Sequence, residues 1–399
     1  MPCCSYEVLH CKLGAYISDI INTVSRLHPA KNFLFIVSFM ALTHRVLGWD
    51  FLRGLSAAAV ATYHLLYWQK IAFVHTLGSF GVYMFFILSG ASLAYTYGQR
   101  IDVRGFSFKA FLKVRYFRLA PLYVLLMLLV LPWKIKQLGL SQDLFWLYLS
   151  NASFLFGFYD PASHAVLVGG WSLGIEFIFY VMFPLLMLAC RMPWGAWAVF
   201  ALLIAVQVGW TTAVFSRSAE PAQLLVLYTQ VPAFAAYFMG GCLLGVAKQK
   251  GKLPVFVRAD WGVCLLLLGF VLLMAINPEN WVQALTGWRG FAGAGICYAM
   301  VYVACRLDLS GRMEKISRSF GNATYGLYLI HPVIYFGCSL AIFPYLGMSQ
   351  PSDWRLASQL LFGLIVLVSA FFLALVSERY FEKPIRLWTK SKSATPRSH

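Results

Sequence analysis

The chain has 399 residues, 60% of them hydrophobic and 12% charged, about half the charge content of an ordinary soluble domain. That balance excludes a soluble globular protein and predicts a polytopic membrane protein. The net charge of +17 would suggest a nucleic-acid partner in a soluble chain, but here it has to be sorted by loop before it carries meaning, and no nucleic acid is expected.

Residues 1–49 read as a cytoplasmic extension, either dispensable or ahead of a true start at Met40. They lack the order of a signal peptide, and the apolar run FLFIVSFMALT is too short to span. Apolar runs long enough to span follow near residues 51–68, 77–97, 116–133, 172–190, 195–215, 223–247, 260–276, 288–305, 322–344 and 356–378. They predict an all-α protein of ten transmembrane helices. The segment 144–158 is apolar but shorter and is expected to be re-entrant or interfacial.

Most of the 32 Lys/Arg fall on one side if both termini are cytoplasmic. The opposite side receives Lys70, Lys134, Lys136, Arg217, Arg289 and Arg355. No Pro- or Ser-rich linker and no internal repeat divides the chain, so residues 50–386 read as one membrane domain and 387–399 as a basic cytoplasmic tail able to meet anionic headgroups. Nine cysteines without a CxxC pair or Cys/His ligand spacing support neither a disulfide framework nor a metal site. Three of them, Cys3, Cys4 and Cys11, sit in the N-terminal extension.

Ionisable groups inside membrane helices are expensive and mark function by default. The first helix carries two, Arg53 and His64, eleven residues and so about 16 Å apart along its axis. The arginine is expected at one membrane surface and the histidine near mid-depth or beyond. A neutral imidazole there suits a general base. Glu176, a turn and a half into WSLGIEFIFYVMFP, needs a partner, and the threading places it at a depth compatible with His64, as the carboxylate that would orient the base. A salt bridge fastening helices is the plainer alternative.

Arg115 and Arg118 are three apart, on one face at the cytoplasmic entry to the third helix, and suit a phosphate-bearing donor or simple snorkelling. His331 precedes Pro332 inside GNATYGLYLIHPV, where it either binds substrate or caps a carbonyl freed by the proline. Ser172 and Trp171, which open the WSL segment, together with Tyr328 are candidates for contact with the substrate. No phosphate loop, HExxH, GxSxG elbow or HxxxxD pattern is present.

Taken in order, DFLRGLSAAAVATYH, GSFGVYMFFILSG, RYFRLAPLY, WSLGIEFIFYVMFP, TYGLYLIHPV and FEKP resemble the acyltransferase-3 family of integral membrane acyltransferases, from Asp50 to about Arg386. The resemblance implies transfer of an acyl group, commonly acetyl from acetyl-CoA, to a hydroxyl of a carbohydrate such as a surface polysaccharide or its lipid-linked precursor, in a bacterial inner membrane. Acyl-CoA would be a co-substrate, with no permanently bound cofactor. It also implies His64 and Glu176 as catalytic and Arg53, Arg115 and Arg118 as donor-binding. Some relatives carry a soluble hydrolase-like domain after the membrane region. This chain ends soon after its last helix, so any second transfer step is expected to need a separate protein. The alternatives are a family acyltransferase acting on a small molecule or lipid, and a proton-coupled transporter, which would be expected to show repeat symmetry and paired broken helices.

Overall fold

A computed structural model describes residues 45–98, 101, 106–192, 194–214, 220–255 and 257–393. The N-terminal extension up to residue 44, with Cys3, Cys4, Cys11 and the alternative start, lies outside the described residues, as does the end of the basic tail.

Helix α1 (Leu47–Trp68) has no proline and is rich in Ala and Leu; it ends where Lys70 takes a positive φ of 56°. It packs between α2 (His75–Tyr97) and the long α11 (Gly311–Gly337). α3 (Phe108–Leu138) starts at Ser107, whose side chain accepts from Ala110 N, and stops at Gly139. α4 (Gln142–Ala152) then turns back along α3. Asn151, near its end, is fully buried and uses every polar valence it has. Its Oδ1 accepts from Tyr123 Oη at 2.7 Å and Val166 N at 3.0 Å; its Nδ2 donates to Leu147 O and His164 O. Tyr123 lies halfway along α3, so the segment read as re-entrant or interfacial reverses at mid-helix. A 3-10 turn (Leu155–Phe158) and one helical turn (Pro161–His164) lead to α5 (Gly170–Ala189).

α6 (Gly195–Gly209) runs on through a π turn to Val214. The single span expected over 223–247 is instead two helices, α7 (Pro221–Tyr228) and α8 (Ala235–Gln249), separated by a 3-10 turn Val231–Ala233. Pro232 supplies the physical reason: it has no N–H, so the α-helical bond to the carbonyl of Tyr228 cannot form and the chain turns as a 3-10 helix instead. α9 (Ala259–Ala275) and α10 (Gly287–Ala304) pair with each other and against α2. α11 continues through a π turn to Tyr345; α12 (Leu356–Ser377) continues through another, Glu378–Glu382, into α13 (Lys383–Ser393). The only strands among the described residues are a two-residue parallel pair, β1 (Val257–Arg258) with β2 (Leu307–Asp308), Val257 opposite Leu307.

The protein is an all-α, multi-pass membrane protein. Six helical rods are long and apolar enough to cross a bilayer: His75–Tyr97, Phe108–Leu138, Gly170–Ala189, Gly195–Val214, Gly311–Tyr345 and Leu356–Thr389. α9 is apolar but shorter. α1, with Asp50, Arg53 and His64 in its sequence, is not among the six; it is held inside the bundle, where its polar groups find protein partners.

The centre of the bundle is the seam between α2 and α8. Gly241 and Gly245 are four apart on α8, and a Cβ on them would stand 2.0 Å from Ile87 O and 2.2 Å from Ala91 O; one on Gly90 would meet Phe238 O at 2.1 Å. Backbones this close need small residues. Several cross-links also sort the loops. Arg191 donates to Ile101 O, Gln249 to Tyr95 O, Arg306 to Pro254 O and Ser317 to Leu47 O, so the basic connections gather at one end of the bundle. Thr76 with Asn277, and Gln359 with Gln69, mark the other end.

Candidate functional site

A cavity of about 370 Å³ opens among α1, α2, α3, α5, α11 and α13. Its charged lining is one-sided: Arg53, Arg115, Arg118 and Arg386 against the single carboxylate of Glu176.

Arg53 comes from the first two turns of α1. It pairs with Asp50 Oδ1 at 3.3 Å, donates to Leu88 O at 2.9 Å and bonds Ser92, which fastens it to α2 while one side faces the cavity. Arg115 and Arg118 share a face of α3, as their spacing predicts, and both line the cavity. Arg115 donates to Tyr97 Oη at 2.7 Å and lies over that ring at 4.8 Å from its centre, yet its buried Nε has no hydrogen-bond partner. Among the described residues Arg118 has no hydrogen-bonded or ion-paired partner at all, although the carboxylates of Glu378 and Glu382 act on it electrostatically.

Those two carboxylates, buried in the π turn, hold Arg386. Its guanidinium takes both oxygens of Glu378, at 2.5 and 2.8 Å, and stands 3.6 Å from Glu382. The sequence reading placed residues from 387 onward in a solvated tail; Thr389, in the next turn after Arg386, is 1% exposed and forms part of the cavity wall. Glu378, Glu382 and Arg386 were missed as site residues. Their spacing of four and four puts them on one helical face, a signal that was legible, but nothing in the sequence says that this face meets α3.

Glu176 lines the same cavity. Ser89 Oγ at 2.9 Å and Tyr180 Oη both donate to its Oε1. It is not bonded to His64, as the sequence reading expected. The reversal at Asn151 starts α5 below the bundle end, with its Gly169 and Gly170 against Tyr328 and Tyr123, and this carries Glu176 inward to the level of Ser89 and the arginines.

His64 has a different partner. Its Nδ1 lies 3.1 Å from Nε2 of His331, and His331 Nδ1 lies 2.8 Å from Leu327 O. The carbonyl that Pro332 deprives of a helical donor is that of Tyr328, four residues back, so His331 is not its cap. Trp68 stacks on His64 with ring centres 4.9 Å apart and planes 7° from parallel, and also covers His331. Neither histidine lines the cavity itself. Tyr328 does, and His331 is three residues further along the same helix, so the histidine pair lies just beyond the cavity wall.

Ser172 and Tyr328 are cavity residues whose hydroxyls lie 2.9 Å apart, both directed at Gly169 O. Gly169 has φ +78°, and a Cβ there would stand 2.8 Å from the Tyr328 hydroxyl, so only glycine permits this approach. Trp171 faces away, packed on Tyr228 and Phe234. No group of three or more His, Cys, Asp or Glu able to hold a metal occurs among the described residues.

Comparison with known proteins gives the family of the chain. A family model described as "Acyltransferase domain" matches residues 46–379, most of the chain, and the protein belongs to that family. The peptidoglycan O-acetyltransferase OatA of Listeria monocytogenes is 27% identical over 369 residues, covering 84% of this chain and 55% of the relative. The putative peptidoglycan O-acetyltransferase YrhL of Bacillus subtilis is 25% identical over 377 residues, covering 86% and 55%. The chain thus spans about half the length of the curated relatives it matches. No solved structure matches it.

Proposed function

We propose that the protein transfers an acetyl group from acetyl-CoA, bound at the basic end of the bundle, to a hydroxyl of a carbohydrate that reaches His64 from the other side, in a bacterial inner membrane. The observation that carries this reading is the cavity itself. Four guanidinium groups line it inside an apolar bundle: Arg53 is paired with Asp50 and Arg386 with Glu378 and Glu382, whereas Arg118 has no hydrogen-bonded partner among the described residues and the buried Nε of Arg115 has no acceptor. Buried donors in that state suit a phosphorylated ligand, whose oxygens accept guanidinium hydrogen bonds in planar pairs. The names of the bacterial relatives support an O-linked acetyl and a glycan acceptor.

Arg115 and Arg118, with Arg53 behind them, hold the donor's phosphates. The pantetheine arm extends along the cavity toward Tyr328. His64 takes the proton of the acceptor hydroxyl as its oxygen forms the new C–O bond to the thioester carbon. The C–S bond breaks, and the proton passes from His64 to the leaving thiolate. Tyr328 and Ser172 line the cavity, and their hydroxyls would supply donors to the oxyanion by turning from Gly169 O, to which both otherwise donate. Glu176, among the arginines, orders Ser89 and Tyr180, both of which donate to its Oε1.

The test uses purified protein in lipid vesicles with radiolabelled acetyl-CoA and a soluble glycan acceptor. Label is expected in the glycan. Label in a lipid or a small cytosolic molecule instead would redirect the acceptor assignment, and no release of acetyl from the donor would refute the reaction. Comparison of glycan acetylation in cells with and without the gene identifies the acceptor.

A further inference from the structure

We infer that His331 is the residue that positions His64, selecting the tautomer in which Nε2 is the base. The inference rests on the proposed function, since it concerns the base of that reaction, and it follows from hydrogen-bond bookkeeping. The carbonyl of Leu327 can only accept, so the ring nitrogen facing it, His331 Nδ1, carries a proton. A neutral His331 then has a bare Nε2, which can only accept. The nitrogen 3.1 Å away, His64 Nδ1, must therefore be the donor, and the lone pair of His64 is left on Nε2.

Trp68 fixes the plane of the same ring by stacking on it, so both the tautomer and the orientation of His64 are set before substrate arrives. Neither histidine pairs with a carboxylate or guanidinium among the described residues. A backbone carbonyl, transmitted through a second imidazole, does the work that a carboxylate does in a Ser-His-Asp triad. His331 gains and loses no proton. As His64 becomes an imidazolium, its Nδ1–H still points at an acceptor.

The test compares His331→Phe, which keeps a ring and removes the acceptor, with His331→Gln, whose amide oxygen can stand about where Nε2 stands. His331→Phe is expected to lower kcat on the order of 10²–10⁴-fold with KM for acetyl-CoA little changed. His331→Gln should recover turnover to within about tenfold of the natural protein, as a group acting only through its acceptor atom allows. In parallel, nitrogen-15 NMR of histidine-labelled natural protein in lipid should show His64 protonated at Nδ1, and His331→Phe should abolish that preference. Equal kcat in the natural protein and His331→Phe, or a His64 protonated at Nε2 in the natural protein, would overturn the inference. The NMR reading needs no turnover. An inactive natural protein would therefore count against the proposed reaction and leave the assignment of His331 to be decided by the tautomer, whereas His64-dependent transfer that survives His331→Phe would remove this inference alone.

Discussion

At the residue scale the site divides into a charged end and an imidazole end, about 16 Å apart along α1 from Arg53 to His64. The two ends predict different kinetic defects. His64→Ala removes the base from a half-buried position and should lower kcat by about 10²–10⁴-fold while the protein still inserts and purifies normally; acetyl transfer by that variant at the natural rate would dismiss His64 as the base. Arg118→Lys keeps the charge and loses the planar fork. Donor binding, measured by titration calorimetry with coenzyme A, should weaken by about tenfold, equivalent to about 1.4 kcal/mol, with a smaller change in kcat. Unchanged affinity would make Arg118 a membrane anchor. Both residues were legible in the sequence, because an ionisable group in an apolar run stands out. Their partners were not. Glu176 would reach His64 if every helix started at the surface; the reversal at Asn151 carries it to the arginines instead.

At the element scale the reversal and the α2–α8 seam carry the architecture. Asn151→Leu would strand the Tyr123 hydroxyl, the Val166 N–H and the His164 carbonyl in a buried place, at a cost of at least about 3 kcal/mol. The expected readout is a lowered thermal transition in detergent and lost turnover through displacement of Ser172 and Glu176; a variant as stable as the natural protein would show that α4 does not set the start of α5. Gly241→Leu should be more severe. Its side chain would need the space occupied by Ile87 O, so the protein is expected to fail to accumulate as a monodisperse species in size-exclusion chromatography. Element existence was readable from hydropathy for most helices, since a span needs a long apolar run whatever its neighbours. The break between α7 and α8 was readable too, from Pro232, but an apolar run that long hid it.

At the scale of the whole molecule, the proposed reaction depends on sidedness. The structure gathers the connections at Ile101, Arg191, Gln249, Pro254 and Arg306 at one end and Thr76, Asn277 and Gln359 at the other. If the basic end is cytoplasmic, a cysteine at Asn280 in a protein cleared of its native cysteines should react with an impermeant thiol reagent in intact cells, and one at Ser107 only after permeabilisation. The opposite labelling would put Arg115 and Arg118 out of reach of cytosolic coenzyme A and end the trans-membrane scheme.

The amino-acid sequence by itself determined that this is a helical membrane protein and which of its polar residues are out of place in a membrane. Those properties depend on composition and on runs of neighbouring residues, which need no fold to be read. Only the tertiary structure decided which of those residues meet. His64 and His331 are 267 positions apart, Arg386 reaches the α3 arginines from the far end of the chain, and Glu176 changes depth because a buried asparagine turns the chain back. Hydropathy fixes how many groups must find partners inside the bilayer; the packing of helices on glycine, and the hydrogen bonds each group must satisfy there, select the partners.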